Sequence, residues 1–502
     1  MFSRLKNRLS GIVIVILTGI ILRFICITAK SFWCDEFLAI SLSKIPSFSD
    51  MIKSVIKYDA HPPLFYSIIR WLFQFTQSEF GLRFIPFLSG AGAVVIFYLL
   101  LTQEKDKNYL LPLTLFAFSP AAILWSQIVK SYSMLTFFSL LSVLLFLLYQ
   151  NTYKFKYGAG WVIASLITLY LHNYGVIVIA GQVIVLLFYR KEVSLRKFCI
   201  PLAVIFLLYL PYLAGPLFSQ IAFVKTAPHS VINPFFRIAY TFFYFVFGET
   251  LSPLNFKFVL PGIILFLLFF IRGAQIKKDF LQNFSIIVLA LGIIMVFSIK
   301  ATIPQNLVHL QPFFFIVIAS GVEGIRKESV KKLFSVILVL FLIPSLYYYY
   351  RKDSLQYHDI SKLIPFRKVS QIIQNEEKPN EVIIINELRE RRFSEFFEPY
   401  SPWDWYYKGN LPVVEVTPEN TEDLENELKR ICSKYNGFWL ILKYSSAGQQ
   451  WNEDIKNFFI REKSVKIRDM QLIKNYSFLD VLKGKEKKEY YFLEIYHFIN
   501  IL

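Results

Sequence analysis

Apolar runs of membrane-spanning length recur through the first 350 residues of this chain, and they restrict its fold more than any other feature. A helix needs roughly 20 mostly apolar residues to cross about 30 Å of hydrocarbon. Stretches of that kind lie at 11–28, 83–102, 109–126, 132–150, 158–171, 174–189, 198–217, 257–271, 281–299, 305–322 and 333–350, eleven in all. With 55% hydrophobic residues, the chain has more apolar surface than one aqueous core can bury. The runs stop at Tyr347 to Tyr350, after which charged residues, Pro and Asn become frequent. The expectation is an α-helical polytopic membrane protein with about eleven transmembrane helices over residues 1–352, followed by a soluble α/β domain over residues 353–502.

The net charge of +18 is uneven: residues 353–502 hold 22 Lys/Arg against 24 Asp/Glu, which leaves 32 basic and 12 acidic residues in 1–352. These bases lie in short clusters between apolar runs, unlike the basic face with interleaved aromatics of a nucleic-acid binder, so nucleic acid is excluded and the clusters are topology signals. The first run, Gly11 to Thr28, follows Arg4, Lys6 and Arg8 and is longer than a signal-peptide core, which predicts an uncleaved anchor with a cytoplasmic amino end.

One stretch, Leu64 to Phe75, is short and carries Arg70 in its middle. If it does not cross, one side of the membrane collects all the clusters: Arg4, Lys6 and Arg8; Lys105 and Lys107; Lys154 and Lys156; Arg190, Lys191, Arg196 and Lys197; Arg272, Lys277 and Lys278; Arg326, Lys327, Lys331 and Lys332. The short connections on the other side then hold only Lys130 and Lys300, a strong positive-inside bias. Leu64 to Phe75 is therefore read as an interfacial helix. An odd number of spans makes both the loop 29–82 and the carboxyl-terminal domain external, in a multi-pass protein of the cell membrane.

The soluble region has strand-like runs at Val382 to Ile385, Phe438 to Leu442 and Tyr490 to Tyr496, and a helical pattern from Thr421 to Ser433 with Thr421 as its cap. Its aromatic segment FFEPYSPWDWYY, Phe396 to Tyr407, is read as loop packing, with a sugar or the membrane as its other contact. Cys26, Cys34, Cys199 and Cys432 lack metal-ligand spacing and read as packing residues. There is no internal repeat of the kind that builds many transporters.

The bundle's external acids are Asp35, Glu36, Asp50, Asp59, Glu79 and Glu249. Asp35 and Glu36, in SFWCDEF, sit near the membrane interface, where a charge is costly without a partner; contact with headgroups or with Lys30 is their alternative role. Next, YDAHPPLFY places Asp59 and His61 before Pro62-Pro63, which fixes the direction of the following helix. Asp35 and His61 held in one external pocket would suit taking a proton from an acceptor while cations hold a phosphate.

FWCDEF, DAHPPLFYSIIRWL and SEFGLRFIPFLSGA, in this order and spacing, resemble the opening region of the GT-C superfamily of polyprenyl-phosphate-sugar transferases, of the protein mannosyltransferase, aminoarabinose transferase and lipid A core galacturonosyltransferase type. The resemblance covers roughly residues 11–190 and implies that Asp35 is the catalytic base. Lys130 and Tyr132 in QIVKSYSML stand where relatives have Arg and a nearby Tyr, which makes Lys130 the candidate donor-phosphate contact, its alternative being a snorkelling lysine. His172 and Tyr174, in the turn YLHNYG, also match the pattern, although a turn histidine is often structural. The sequence departs from the family at IPQNLVHLQP, where Gln305 and Asn306 replace an Arg-Tyr pair, and His309 or Arg237 is left to supply the charge.

The resemblance implies transfer, with inversion, of a monosaccharide from a polyprenyl-phosphate carrier to a lipid, glycan or protein acceptor at the external face. The alternatives are a lipid-linked oligosaccharide transporter, which would carry charges at mid-membrane, and a glycan ligase or polymerase. No cofactor is assigned: the Asp, Glu and His residues above are donors a divalent cation would take, but their spacings match no dedicated site.

Overall fold

The computed structural model describes residues 2–104, 109–188, 194–226, 233–276, 279–352, 360–385, 402–416, 423–443 and, further on, 454–455, 457–459, 466–471, 474–476, 489–491 and 493–499. The bases Lys105, Lys107, Arg190, Lys191, Lys277 and Lys278, the Thr421 cap and residues 396–401 of the aromatic segment lie outside the described residues. The chain forms two units, residues 1–28 with 42–351, and residues 29–41 with 352–502.

The first unit is a multi-pass helical bundle. Among the described residues, seven helices are long and apolar enough to cross a membrane: Glu79–Leu101, Tyr132–Thr152, Leu195–Leu213, Phe256–Gln275, Phe280–Ser298, Pro304–Glu323 and Glu328–Arg351. Shorter apolar helices run over Ser10–Phe24, Phe155–Leu171 and Asn173–Phe188. The expected run 109–126 is broken into Leu110–Ala117 and Pro120–Ser126. Ser119 caps the second piece, its hydroxyl accepting the Ala122 N–H at 3.2 Å, and Pro120 takes the first helical position, where a missing N–H costs nothing.

A break of this kind frees carbonyls that lipid cannot satisfy. Arg23, fully buried near the end of helix Phe2–Phe24, donates to the carbonyls of Ala117 (2.8 Å) and Phe116 (3.3 Å). Gln127 returns the favour by donating to the carbonyls of Arg23 (2.9 Å) and Ile25 (2.8 Å), where the first helix ends. The short helix Leu64–Phe73 uses its mid-helix arginine similarly: Arg70 donates to the carbonyls of Ser43, Ile45 and Pro46, beyond the last turn of helix Cys34–Ser43. One further apolar helix, Pro234–Phe247, forms between the expected spans 198–217 and 257–271; Asn233 caps it, and Phe243 to Phe247 are buried.

Helix Gln311–Glu323 is central, whereas helices such as Leu195–Leu213 and Phe256–Gln275 expose large side chains including Ile200, Leu207, Leu260 and Leu268, as lipid-facing helices do. Cys26, Cys34 and Cys199 are exposed rather than packed: Cys26 follows the end of helix Phe2–Phe24, Cys34 begins helix Cys34–Ser43 and Cys199 lies on an exposed face of helix Leu195–Leu213. Helix Gln311–Glu323 crosses Phe256–Gln275 at a pair of glycines. A Cβ on Gly321 would fall 2.0 Å from the Phe269 carbonyl oxygen, and one on Gly273 would fall 1.9 Å from that of Val317. The backbones touch, which is how helices associate where no hydrophobic effect drives them.

The second unit carries strands β1 (Glu381–Ile385), β2 (Val413–Glu415), β3 (Gly437–Lys443), β4 (Lys466–Gln471), β5 (Lys474–Tyr476), β6 (Glu489–Tyr491) and β7 (Leu493–Ile499). Five form a sheet in the order β2-β1-β3-β7-β4, with β1 parallel to β2 and β3, and β7 antiparallel to β3 and β4. Its core is built from Val382, Ile384, Phe438, Leu440 and Phe498, covered by Leu428 and Ile431 of helix Leu424–Cys432, which Asp423 caps by accepting the Asn426 N–H at 3.1 Å.

Gly321→Ala is expected to lower stability by about 1–3 kcal/mol, the usual cost of overpacking. Gly11→Ala, where the added carbon meets nothing within 4 Å, is the control and is expected to be neutral. Thermal unfolding of the purified protein in detergent checks both.

Candidate active site

The motif around Asp59 folds as its residue types dictate. Ser47 caps helix Phe48–Tyr58, accepting the Asp50 N–H at 3.3 Å, and Asp59 ends that helix. Pro62-Pro63 then starts helix Leu64–Phe73, whose first turn brings Tyr66 round to donate its hydroxyl proton to Asp59 Oδ2 at 2.7 Å. Asp59 Oδ1 accepts the His61 backbone N–H at 2.9 Å, and the same oxygen meets His61 Nδ1. Burial by itself would raise the Asp59 pKa, but His61, Lys130 and the Tyr66 hydroxyl together hold it well below the usual carboxylate range. An ionised carboxylate only accepts, so His61 Nδ1 is the donor and its Nε2 faces elsewhere.

The His61 ring is one side of an aromatic and polar cluster. Its centroid lies 4.7 Å from that of His172 and 6.2 Å from that of Tyr132, which in turn packs on His172 at 5.6 Å and on Trp125 at 4.4 Å. Trp125 is fixed from behind, its indole N–H donating to the Tyr244 hydroxyl at 2.5 Å. His172 caps the turn before Tyr174: its Nδ1 accepts the Tyr174 N–H at 3.1 Å, which leaves the ring proton on Nε2. Burial, then the neighbouring rings of His61 and His309, push the His172 pKa well below its ordinary value, against the opposing pull of Asp59. His172 is therefore a neutral N–H donor. It is 2% exposed, and Nε2 has no hydrogen-bond partner among the described residues.

The stretch that departs from the family pattern forms the 3-10 helix Pro304–Leu310 and lines the same cluster. Tyr132 donates to Asn306 Oδ1 at 3.4 Å, the Tyr174 hydroxyl bonds Thr302 Oγ1 at 2.6 Å, and His309 is fully buried. Arg237, from the unforeseen helix Pro234–Phe247, donates through Nη1 to the carbonyls of Ile299 and Lys300, each at 2.9 Å, just ahead of this stretch. Its Nε, like His172 Nε2, lacks a partner among the described residues. Lys130 is 5% exposed and acts electrostatically on both Asp59 and His172.

The first unit thus gathers Asp59, His61, Lys130, Tyr132, His172, Tyr174 and Arg237 from separate parts of the sequence. Asp35 and Glu36 belong to the second unit, in the first turn of helix Cys34–Ser43. Glu36 is buried and its Oε2 accepts the Trp33 N–H at 3.2 Å, the backward bond of a capping box; Asp35 is partly exposed. Among the described residues no group of three or more His, Cys, Asp or Glu is arranged to hold a metal ion.

Residues 42–211, the stretch that carries Asp59, His61, Lys130, Tyr132, His172 and Tyr174, match the family model described as dolichyl-phosphate-mannose-protein mannosyltransferase. The structure is similar to that of ArnT from Cupriavidus metallidurans in the apo state, with a TM-score of 0.58 at 10% identity, covering 97% of this chain and 98% of that one. ArnT of the same organism bound to undecaprenyl phosphate matches with a TM-score of 0.51 at 10% identity over the same shares of the two chains. The archaeal oligosaccharyltransferase AglB from Archaeoglobus fulgidus, in complex with an inhibitory peptide and a dolichol-phosphate, matches with a TM-score of 0.50 at 14% identity, over 88% of this chain and 70% of that one. No curated protein matches by sequence. The chain has the GT-C fold.

Within this GT-C bundle, three residues the sequence reading passed over hold the Asp59–His61 segment. Asn173 donates to the Ala60 carbonyl at 2.9 Å, Gln220 donates to the His61 carbonyl at 2.6 Å, and the Tyr212 hydroxyl bonds the side-chain oxygens of both. Gln220 is 1% exposed. A lone Gln in an amphipathic stretch carries no signal in sequence, because its role exists only once the Ala60 and His61 carbonyls are beside it.

Asp59 contributes stability that is fully present above the ordinary aspartate range and is lost as pH falls through its lowered folded value. Asp59→Asn is expected to cost roughly 1–3 kcal/mol near neutral pH. Thermal unfolding of the two proteins is expected to show a constant difference between about pH 7 and about pH 5, narrowing below about pH 4.

Proposed function

We propose that the chain transfers a monosaccharide from a polyprenyl-phosphate carrier to a lipid, glycan or protein acceptor at the external face of the cell membrane, with inversion at the anomeric carbon. The observation that carries this reading is a set of desolvated donors: His172 Nε2 and Arg237 Nε, each without a partner among the described residues, the first near Asp59 and Lys130 and the second near Tyr174. Buried donors without acceptors are costly, and an oxyanion is the ligand that satisfies them. The carriers seen with similar folds, undecaprenyl phosphate in ArnT and dolichol-phosphate in AglB, are anions of that class.

In this scheme the acceptor loses its proton to Asp35 as its oxygen or nitrogen bonds to the anomeric carbon. The bond from that carbon to the phosphate oxygen breaks, and the electron pair leaves on the phosphate. Preorganised donors stabilise the charge that develops there and need not reorient as it forms. His172, neutral and already aimed by its bond from Tyr174, suits that role, as do Lys130 and Arg237. Asp35 is the partly exposed acid of the SFWCDEF pair and the one the resemblance points to, while Glu36 is buried and bonds the Trp33 N–H. The loop 29–82 brings Asp35, Asp59 and His61 in one stretch of chain. The external side follows from the bases that cluster on the opposite connections.

Asp35→Asn is expected to cut transfer from a polyprenyl-phosphate monosaccharide about 10²–10⁴-fold, the worth of a general base, with carrier binding retained. Lys130→Ala is expected to raise the KM for the donor roughly tenfold, the loss of one charge-assisted contact. Assays on purified protein in lipid check both. Near-normal turnover of Asp35→Asn would remove it from the mechanism.

A further inference from the structure

The segment 29–41 carries Asp35 and Glu36, yet it folds with residues 352–502 and not with the bundle whose chain flanks it. Its contacts there are specific. Phe32, fully buried, donates its backbone N–H to the Tyr406 hydroxyl at 2.7 Å and sets its ring edge-on to Trp405 at 5.5 Å. Phe37, 3% exposed, meets Tyr406 at 6.1 Å, Trp405 at 6.4 Å and Phe366 at 6.5 Å, all edge-on. Phe366 is in turn braced by Trp403 at 5.9 Å. Ser31 accepts the Arg367 N–H at 3.1 Å, and the Lys362 ammonium sits 4.5 Å over the Trp33 ring.

These contacts bracket the acidic pair. Phe32 is three residues before Asp35 and Phe37 two after, so the backbone that bears Asp35 is fixed on both sides by rings from one domain. Aromatic rings in mutual contact bury large areas and prefer defined edge-to-face geometry, which makes such a cluster a rigid mount. The Tyr406 hydroxyl adds direction, because it takes a backbone N–H that precedes the helix Cys34–Ser43 and has no partner within it.

We propose that the aromatic face formed by Phe366, Trp405 and Tyr406 is the positioning device for Asp35, so that the carboxyl-terminal domain sets the place of the catalytic base. This rests on the reading of Asp35 as that base. The domain then acts on turnover and leaves carrier affinity alone, since Lys130, His172 and Arg237, the donors assigned to the phosphate, take no part in the aromatic mount. A displacement of about 1 Å at a reacting group is enough to cost on the order of a hundredfold in rate.

The test uses full-length protein in lipid nanodiscs, with Tyr406→Phe, which removes one hydroxyl and keeps the ring, and Trp405→Ala. Hydrogen exchange read by mass spectrometry is expected to be at least about tenfold faster over residues 29–41 in both variants, with the helix Phe48–Tyr58 unchanged. Steady-state transfer from a panel of polyprenyl-phosphate monosaccharides is expected to show kcat lowered roughly ten- to a hundredfold with KM for the donor unchanged. Unaltered exchange over 29–41 in both variants overturns the proposal, as does faster exchange with unchanged kcat, or a raised KM with kcat intact. A wild-type protein that binds undecaprenyl phosphate but transfers none of these sugars overturns the role of Asp35 as a base, and the exchange result still decides whether the aromatic face orders the segment.

Discussion

A desolvated carboxylate sets the terms for the polar centre of the bundle. Asp59 stays ionised despite its burial because His61, Lys130 and the Tyr66 hydroxyl offset the loss of water. That charge fixes His61 as a donor through Nδ1, and the Asn173, Tyr212 and Gln220 side chains hold the backbone on which His61 sits. Burial first, and then the neighbouring His61, His309 and Lys130, make a positive charge at His172 unfavourable, so His172 stays neutral and keeps a single N–H to offer. Asp59 thus orients His61, while burial keeps His172 neutral, and together they set the kind of ligand the cluster can take.

Much of this was legible in the residues, and the exceptions have physical causes. Apolar length finds spans because burial in lipid depends on summed hydropathy, but it is blind to capping: Ser119-Pro120 breaks the run 109–126, and Asn233-Pro234 starts a helix inside what reads as a loop. Both signals were present as a cap residue followed by proline. Asp59 with His61, and His172 with Tyr174, were legible because each pair is set by a short local turn, whereas their meeting with one another and with Tyr132 is tertiary packing. Gln220, Tyr212 and Asn173 were not legible, since their function is to satisfy carbonyls that only the folded chain brings near. Glu36 was paired with Asp35 by adjacency, whereas the helix geometry separates them, one closing a cap and one left partly exposed.

The stretch Pro304–Leu310 shows how the fold accommodates a missing charge. Without an Arg-Tyr pair it contributes Asn306 to Tyr132, Thr302 just before it bonds Tyr174, and the neighbouring guanidinium is Arg237 on a separate helix, tied to the carbonyls of Ile299 and Lys300. The soluble region shows a comparable division of labour: its sheet and helices form an ordinary α/β core, while its aromatic face receives the segment that bears Asp35.

The most direct test of the account is a structure of the full chain in lipid with undecaprenyl phosphate bound. The account predicts the phosphate oxygens within hydrogen-bond distance of His172 Nε2 and beside Lys130, with the Asp59–His61 pair intact. Phosphate bound elsewhere, for example in the cavity of about 240 Å³ lined by Glu104, Asp279 and Glu323, with His172 Nε2 still without a partner, would contradict it.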